Sequence, residues 1–197
     1  MGKQLLIAVV FFICCGQASA QLEKGNLYPG VSSENRFYQY GNSYGIKPEL
    51  SYAIDKHNSV GVRLNYFRSN NYNLLVTPYT NGYFVQHGAG ITYNYFRYFK
   101  NSQKFGWYVN ANLDFNRIKY FNIKNSGGTE LGSAHNQTEF SLRPGIFYKP
   151  SKNIIVFANF GGISLVNSNG NIDAPLNFGN QVNIGVLINP DIFRKKK

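Results

Sequence analysis

The chain has 197 residues, with 20 Lys plus Arg against 9 Asp plus Glu for a formal net charge of +11, yet only 15% are charged, where soluble domains carry about 25%. Aromatics reach 16%, Gly contributes 20 residues and Asn 26. That mixture is too aromatic for disorder and too poor in strong helix formers for a bundle, which leaves a single all-β domain.

The chain opens on a short basic start (Met1 to Gln4, with Lys3), an apolar run from Leu5 to Cys15, and the small, polar ending Gly16-Gln17-Ala18-Ser19-Ala20. This is the layout of a secretory signal with an A-x-A cleavage site, so residues 1–20 are assigned to a signal peptide and Gln21 to the mature N-terminus. The apolar run is short for a spanning helix, which needs about 20 residues. Cys14 follows Ile13 and Cys15 follows Cys14, whereas lipid attachment needs a small residue before the Cys. Both cysteines therefore leave with the signal, and the exported chain has no disulfide, no thiol nucleophile and no Cys metal site.

Period-two alternation then recurs in blocks. An opening strand is predicted near residues 23–31. The clearest block is 44–54, where Tyr44, Ile46, Pro48, Leu50, Tyr52 and Ile54 take one face and Gly45, Lys47, Glu49, Ser51 and Ala53 the other. After the polar turn at 55–58 the pattern resumes with Val60, Val62, Leu64 and Tyr66 opposite Gly61, Arg63 and Asn65, which predicts a hairpin. Strands 85–99 and 105–118 form the next pair, the second with Trp107, Val109, Ala111, Leu113 and Phe115 opposite Tyr108, Asn110, Asn112, Asp114 and Asn116. A third pair covers 138–148 and 154–165, with Phe140, Leu142 and Ile146 opposite Glu139, Ser141 and Arg143. A final strand, 181–189, puts Val182, Ile184, Val186 and Ile188 on one face. Pro48 and Pro144 inside strands point to edges or bulges.

These eight strands are joined alternately by short turns (55–58, 100–104, 149–153) and by longer connections rich in Asn, Ser, Gly and Tyr (32–42, 68–83, 119–137, 166–178). Short turns at one end, long loops at the other and apolar/polar alternation between them are the signature of an outer-membrane barrel. Hydrocarbon cannot satisfy a strand's N–H and C=O groups, so a sheet in lipid must close, with an apolar outside and a polar inside. Aromatics gather at strand ends, as in Tyr93-Asn94-Tyr95-Phe96-Arg97-Tyr98-Phe99, where they suit a membrane interface. A soluble sandwich or lipocalin-like barrel would turn its apolar face inward, but its polar face would need more charge than the Gly, Ser, Asn and Thr found here.

On these motifs the sequence resembles the small outer-membrane β-barrel proteins of the Bacteroidetes type. The resemblance begins at Gln21-Leu22-Glu23-Lys24-Gly25-Asn26. It continues through Ile46-Lys47-Pro48-Glu49-Leu50-Ser51-Tyr52-Ala53-Ile54 with Asn58-Ser59-Val60-Gly61-Val62, and through Leu142-Arg143-Pro144-Gly145-Ile146-Phe147-Tyr148 with Asn153-Ile154-Ile155-Val156. It implies an eight-stranded antiparallel up-and-down transmembrane β-barrel over residues 21–193 in the cell outer membrane, and it carries no catalytic residues. A basic tail, 194–197, follows Phe193. Since many such barrels end on an aromatic residue read by the assembly machinery, either Phe193 takes that role or the final strand stops at Asn189.

The inferred inner face carries Lys47, Glu49, Arg63, Asp114, Glu139 and Arg143, three positive and three negative charges. An eight-stranded barrel is filled by its own side chains, so these are expected to neutralise one another in a structural network. The alternative is a narrow passive channel for small solutes or ions lined by the same residues, and a third possibility is a soluble periplasmic lipocalin-like binder of a small apolar ligand. No enzyme is expected. His135 lies beside Ser133 and near Glu130, His87 shares the outward parity and His57 occupies a turn, and none forms a triad or a close metal-ligand pair. No cofactor is expected, and the scattered basic residues predict no nucleic-acid surface. The expected partners are outer-membrane lipid, the barrel-assembly machinery during biogenesis and an extracellular ligand reached through the loops. At the outer rim Tyr72, Tyr79, Tyr83, Phe84, Tyr120 and Phe121 read as interface anchors or as an aromatic recognition surface.

Overall fold

The computed structural model describes residues 22–38, 41–70, 72–73, 81–100, 102–123, 129–176 and 181–189. The signal-peptide assignment and Phe193 fall outside them. The strands are β1 (Leu27–Tyr38), β2 (Gly41–Ala53), β3 (Asn58–Asn70), β4 (Tyr72–Asn73), β5 (Asn81–Tyr98), β6 (Phe105–Ile123), β7 (Thr129–Ser151), β8 (Ile154–Asn159), β9 (Ile163–Ser168), β10 (Asn171–Asp173) and β11 (Gln181–Ile188). β8 and β9 are halves of one stave, since both pair with β7. β4 and β10 are short ribbons that extend β5 and β9 at the loop end. The remaining staves pair antiparallel in chain order, and β11 closes on β1 through Gly30↔Leu187 to Arg36↔Gln181. The result is a closed barrel of 8 strands.

Alternation gives the wall two chemistries. Ile46, Val62, Leu64, Ile91, Phe115, Ile146 and Ile184 point outward and are each more than half exposed, whereas Lys47, Arg63, Asp114 and Arg143 point inward and are at most 4% exposed. A soluble domain does not tolerate so large a contiguous apolar surface, and lipid solvates it without penalty. The apolar face is therefore the outer one, opposite to what a lipocalin-like binder requires. Outward aromatics ring both ends, with Tyr52, Tyr93, Phe99, Phe105 and Trp107 toward the short turns and Phe37, Tyr44 and Tyr66 toward the longer connections.

Two expectations need correction. The opening strand runs from Leu27 to Tyr38, not over 23–31, and most of the expected loop 32–42 is strand. The outward side chains there, Ser33 and Asn35, are polar, so the apolar alternation fades although both neighbours still pair: Ser33 faces Ile46 on β2 and Ile184 on β11. The other long loops also shrink, because β5, β6 and β7 reach 18, 19 and 23 residues. About 9–11 residues suffice to cross a membrane, so these strands extend beyond the apolar belt.

Pro48 and Pro144 sit where the ladder is interrupted. The β2–β3 pairing skips Lys47 and Pro48, resuming at Glu49↔Arg63. Pro144 lies opposite the break between β8 and β9, where β7 pairs with β8 through Gly145↔Asn159 and with β9 through Leu142↔Ile163. A residue without an N–H is cheapest at such gaps. The turn after β2 is fixed by Asp55, whose Oδ1 accepts from the N–H groups of His57 (2.7 Å) and Asn58 (2.9 Å). These bonds, led by that from His57, hold the Asp55 carboxyl below its usual range.

Inside the barrel, four rings lie directly across from glycines on neighbouring strands: Phe67 from Gly45, Tyr108 from Gly145, Phe147 from Gly106 and Phe157 from Gly185. A Cβ at any of these glycines would overlap the facing ring. In so narrow a lumen a ring fits flat against the wall only where the facing residue has no side chain. Gly145→Ala is accordingly expected to cost about 1–3 kcal/mol in urea unfolding of the detergent-solubilised barrel, the usual penalty of overpacking. An unchanged midpoint would mean that the Tyr108 ring is not seated there.

Candidate functional site

The inner wall divides along the barrel axis into an ionic zone and an apolar plug. In the ionic zone Glu34 is the hub. It pairs with Lys47, accepts from Arg143 Nη1 at 2.5 Å and accepts from Arg36 Nε at 2.6 Å. Arg143 Nη2 reaches Glu139 Oε1 at 3.2 Å, and Ser164 Oγ donates to the same oxygen at 3.0 Å. A second centre is Arg63, which grips Asp114 with Nε at 2.8 Å from Oδ1 and with Nη2 on Oδ2. Asn65 Nδ2 adds a 2.9 Å bond to Oδ1. Around these centres Asn110 Nδ2 donates to Thr92 (2.8 Å) and Asn94 (2.6 Å), and Asn112 Nδ2 to Ser141 (3.3 Å). Two-point Arg–carboxylate contacts of this kind are the strong ones, and burial makes each depend on its partner.

All six residues singled out in the sequence face the lumen, but they do not form one set of mutual pairs. Lys47 and Arg143 converge on Glu34, Glu139 joins through Arg143, and Arg63 with Asp114 stands apart. Glu49 accepts from Ser51 Oγ at 3.0 Å and makes no ion pair among the described residues. Glu34 and Arg36 were missed because residues 32–42 read as a loop and so had no assigned face. The signal was present in Ser32, Glu34 and Arg36, polar residues at every second position that continue the inward row of Tyr28 and Gly30. With them the ionic zone holds Arg36, Lys47, Arg63 and Arg143 against Glu34, Glu49, Asp114 and Glu139, a neutral set, while Lys149 is buried farther along at the short-turn end.

Toward the short-turn end the lumen is apolar, which the expectation of a polar interior did not anticipate. Tyr28, Ala53, Phe96, Tyr108, Phe147, Ile155, Phe157 and Leu187 form one buried cluster, with Leu22 against it. Phe96 meets Phe147 edge-on at 5.3 Å and stacks on Tyr108 at 5.7 Å, while Tyr98 meets Phe147 at 4.9 Å and Tyr108 meets Phe157 at 5.5 Å. The Tyr108 hydroxyl turns up to the polar zone and accepts from Asn159 Nδ2 at 2.9 Å. Edge-on and offset rings fill such a space well, and the polar side chains at this level, Ser51, Ser59 and Lys149, lie buried around them.

The three histidines lie apart from one another. His57 Nδ1 contacts the Phe96 carbonyl at 3.0 Å, His87 faces outward and His135 stacks on Tyr120 at 5.5 Å. The Glu130 side chain lies outside the described residues. Among the described residues no three of His, Cys, Asp and Glu approach closely enough to hold a metal ion. At the rim Tyr83 stacks on Phe121 at 4.9 Å and Phe84 tilts against Tyr120 at 5.9 Å, whereas the Tyr72 and Tyr79 side chains lie outside the described residues.

A closed antiparallel barrel with an apolar belt, aromatic rings at both ends and a filled lumen defines the small outer-membrane β-barrel fold. Among solved structures the chain is similar to Neisserial surface protein A (NspA), with 15% identity, 83% of this chain and 96% of that chain covered, and a TM-score of 0.52. The N-terminal β-barrel domain of Pseudomonas aeruginosa OprF aligns at 13% identity over 85% of this chain and 99% of that one, with a TM-score of 0.48. Ail, the attachment invasion locus protein of Yersinia pestis, aligns at 10% identity over 84% and 96%, with a TM-score of 0.43. The NspA likeness is one of fold. No family model matches the chain, nor does any curated protein.

Proposed function

We propose that the protein is exported and inserted in the outer membrane as a non-conducting, non-enzymatic barrel whose role is structural or exerted through its loop end. The observation that carries this reading is the pairing of an outward apolar belt with a lumen filled by a neutral ion network above an aromatic plug. A permeant ion would have to break buried Arg–carboxylate contacts and then pass between packed aromatic rings that cannot replace its hydration, each step costing several kcal/mol. The narrow-channel alternative is therefore disfavoured. By analogy with barrels of this architecture the short turns face the periplasm and the longer connections the exterior.

Two measurements test the reading. Membrane-fraction protein run on a denaturing gel is expected to migrate differently before and after boiling, because a closed barrel resists detergent until heated. The purified protein is expected to be silent in planar bilayers. A soluble protein with no mobility shift would sink the membrane assignment, and reproducible single-channel steps would sink the non-conducting one.

A further inference from the structure

We propose that the outer wall of β3, β5 and β6 near the loop end is a binding site for a phosphorylated glycolipid of the outer leaflet, of the lipid A class, with phosphate held by Arg68, His87, Arg117 and Lys119 and an acyl chain seated in the groove beneath them. This rests on the membrane-spanning reading above. The register makes the four polar residues one patch. Arg68 faces Val85, Val85 faces Lys119, and one row lower Tyr66 faces His87, which faces Arg117. Adjacent strands lie about 4.8 Å apart, so the outermost two backbones of the patch are only about 10 Å from each other. Arg68, His87 and Arg117 are exposed and Lys119 is half-buried. Among the described residues, no carboxylate lies on the outward face of these three strands, and none of the four residues makes an ion pair. The guanidinium of Arg68 lies 4.7 Å over the Tyr83 ring, which holds it at the level of the aromatic girdle.

A second observation points to the same ligand. Directly below the patch the wall is indented by an apolar groove of about 580 Å³, lined in part by Pro48, Leu50, Val62, Leu64, Ala89 and Phe115. Its origin is local: Ala89 stands in one cross-strand row between Leu64 and Phe115, and the β2–β3 ladder is interrupted at Pro48. Ala89 is two residues from His87 and Phe115 two from Arg117, about 7 Å along the strand. That distance places a headgroup phosphate above a chain lying in the groove. Cations at the depth where lipid phosphates lie, continuous with a slot for hydrocarbon, fit a lipid that carries both groups. The opposite rim has cations as well, but Lys56, Lys100 and Lys152 sit in turns, away from this groove.

The test uses the full mature chain folded into phosphatidylcholine bicelles doped equally with diphosphoryl lipid A and phosphatidylglycerol, with retained lipid counted by native mass spectrometry. Each sample is first checked for the heat-dependent gel shift. Wild type is expected to retain lipid A in preference to phosphatidylglycerol. Arg117→Gln with Lys119→Gln is expected to weaken retention about thirtyfold, from about fivefold per cation at an anionic surface. Ala89→Phe, which fills the groove, is expected to weaken it with the gel shift intact, and Lys100→Gln with Lys104→Gln to leave it unchanged. Equal retention by the Arg117/Lys119 variant, or of dephosphorylated lipid A, overturns the site. Phosphatidylglycerol held as tightly as lipid A overturns the glycolipid assignment. A barrel that inserts but keeps no lipid A counts against this site alone, whereas a chain that never gives the gel shift sinks both readings.

Discussion

Glu34→Ala is expected to lower the stability of the folded barrel by about 3–5 kcal/mol. The Glu34 carboxylate is fully buried and takes Lys47, Arg143 and Arg36 at once. Of those cations, Lys47 and Arg143 have side chains only 2% exposed, so neither can turn to water when the anion is lost. Breaking a buried pair by removing one partner costs about 3–5 kcal/mol, against a total stability of about 5–15 kcal/mol for an ordinary domain. A paired change, Glu34→Gln with Lys47→Met, removes one charge of each sign and is expected to recover most of that loss. Urea titrations of detergent-folded protein, followed by gel mobility, measure both. If Glu34→Ala unfolds within about 0.5 kcal/mol of wild type, the network is not what holds the lumen together.

Phe147→Ala is expected to do two things that wild type does not do: lower stability by about 3–5 kcal/mol, and admit ions. The ring packs edge-on against Phe96 and Tyr98, and its cross-strand partners are Gly106 on β6 and Phe157 on β8. On the β6 side no side chain is available to relax into the vacated space. Water entering there would meet the Tyr108 hydroxyl and the Asn159 amide next. Small conductance steps in planar bilayers are therefore predicted for Phe147→Ala. Phe147→Leu keeps most of the volume and should stay silent with a smaller loss of stability. A folded Phe147→Ala barrel that remains silent would show that the ion network alone closes the lumen.

The eight staves and the sidedness of most of them could be read directly from the chain, because an outward row such as Ile46, Leu50 and Tyr52 stays apolar while the inward row stays small or polar. β1 resisted because its outer face turns polar at Ser33 and Asn35, where only the ladder to β2 and β11 keeps it a strand. Glu34 was lost with it, and its role depends on Arg143, 109 residues away in sequence. The plug escaped for a different reason. Tyr108 and Phe147 share parity with Asn110 and Arg143, so along one strand each ring looks like a lone exception on a polar face. Only the stagger of neighbouring strands brings rings from β5, β6, β7 and β8 together in one cluster. The rim patch was hidden in the same way, since Arg68, His87 and Lys119 come from three strands.

The seam between β1 and β11 has a consequence for assembly. Glu23 accepts from the Asn189 side chain at 3.3 Å across it, and Leu22 tucks under the barrel beside the plug. Until the last stave arrives, β1 has one satisfied edge and one bare edge, and every intermediate sheet carries two rows of unpaired N–H and C=O groups. No subset of staves satisfies its own backbone, so order should emerge late and all at once. The incomplete chain, with two bare edges, is then the most aggregation-prone species in the protein's life.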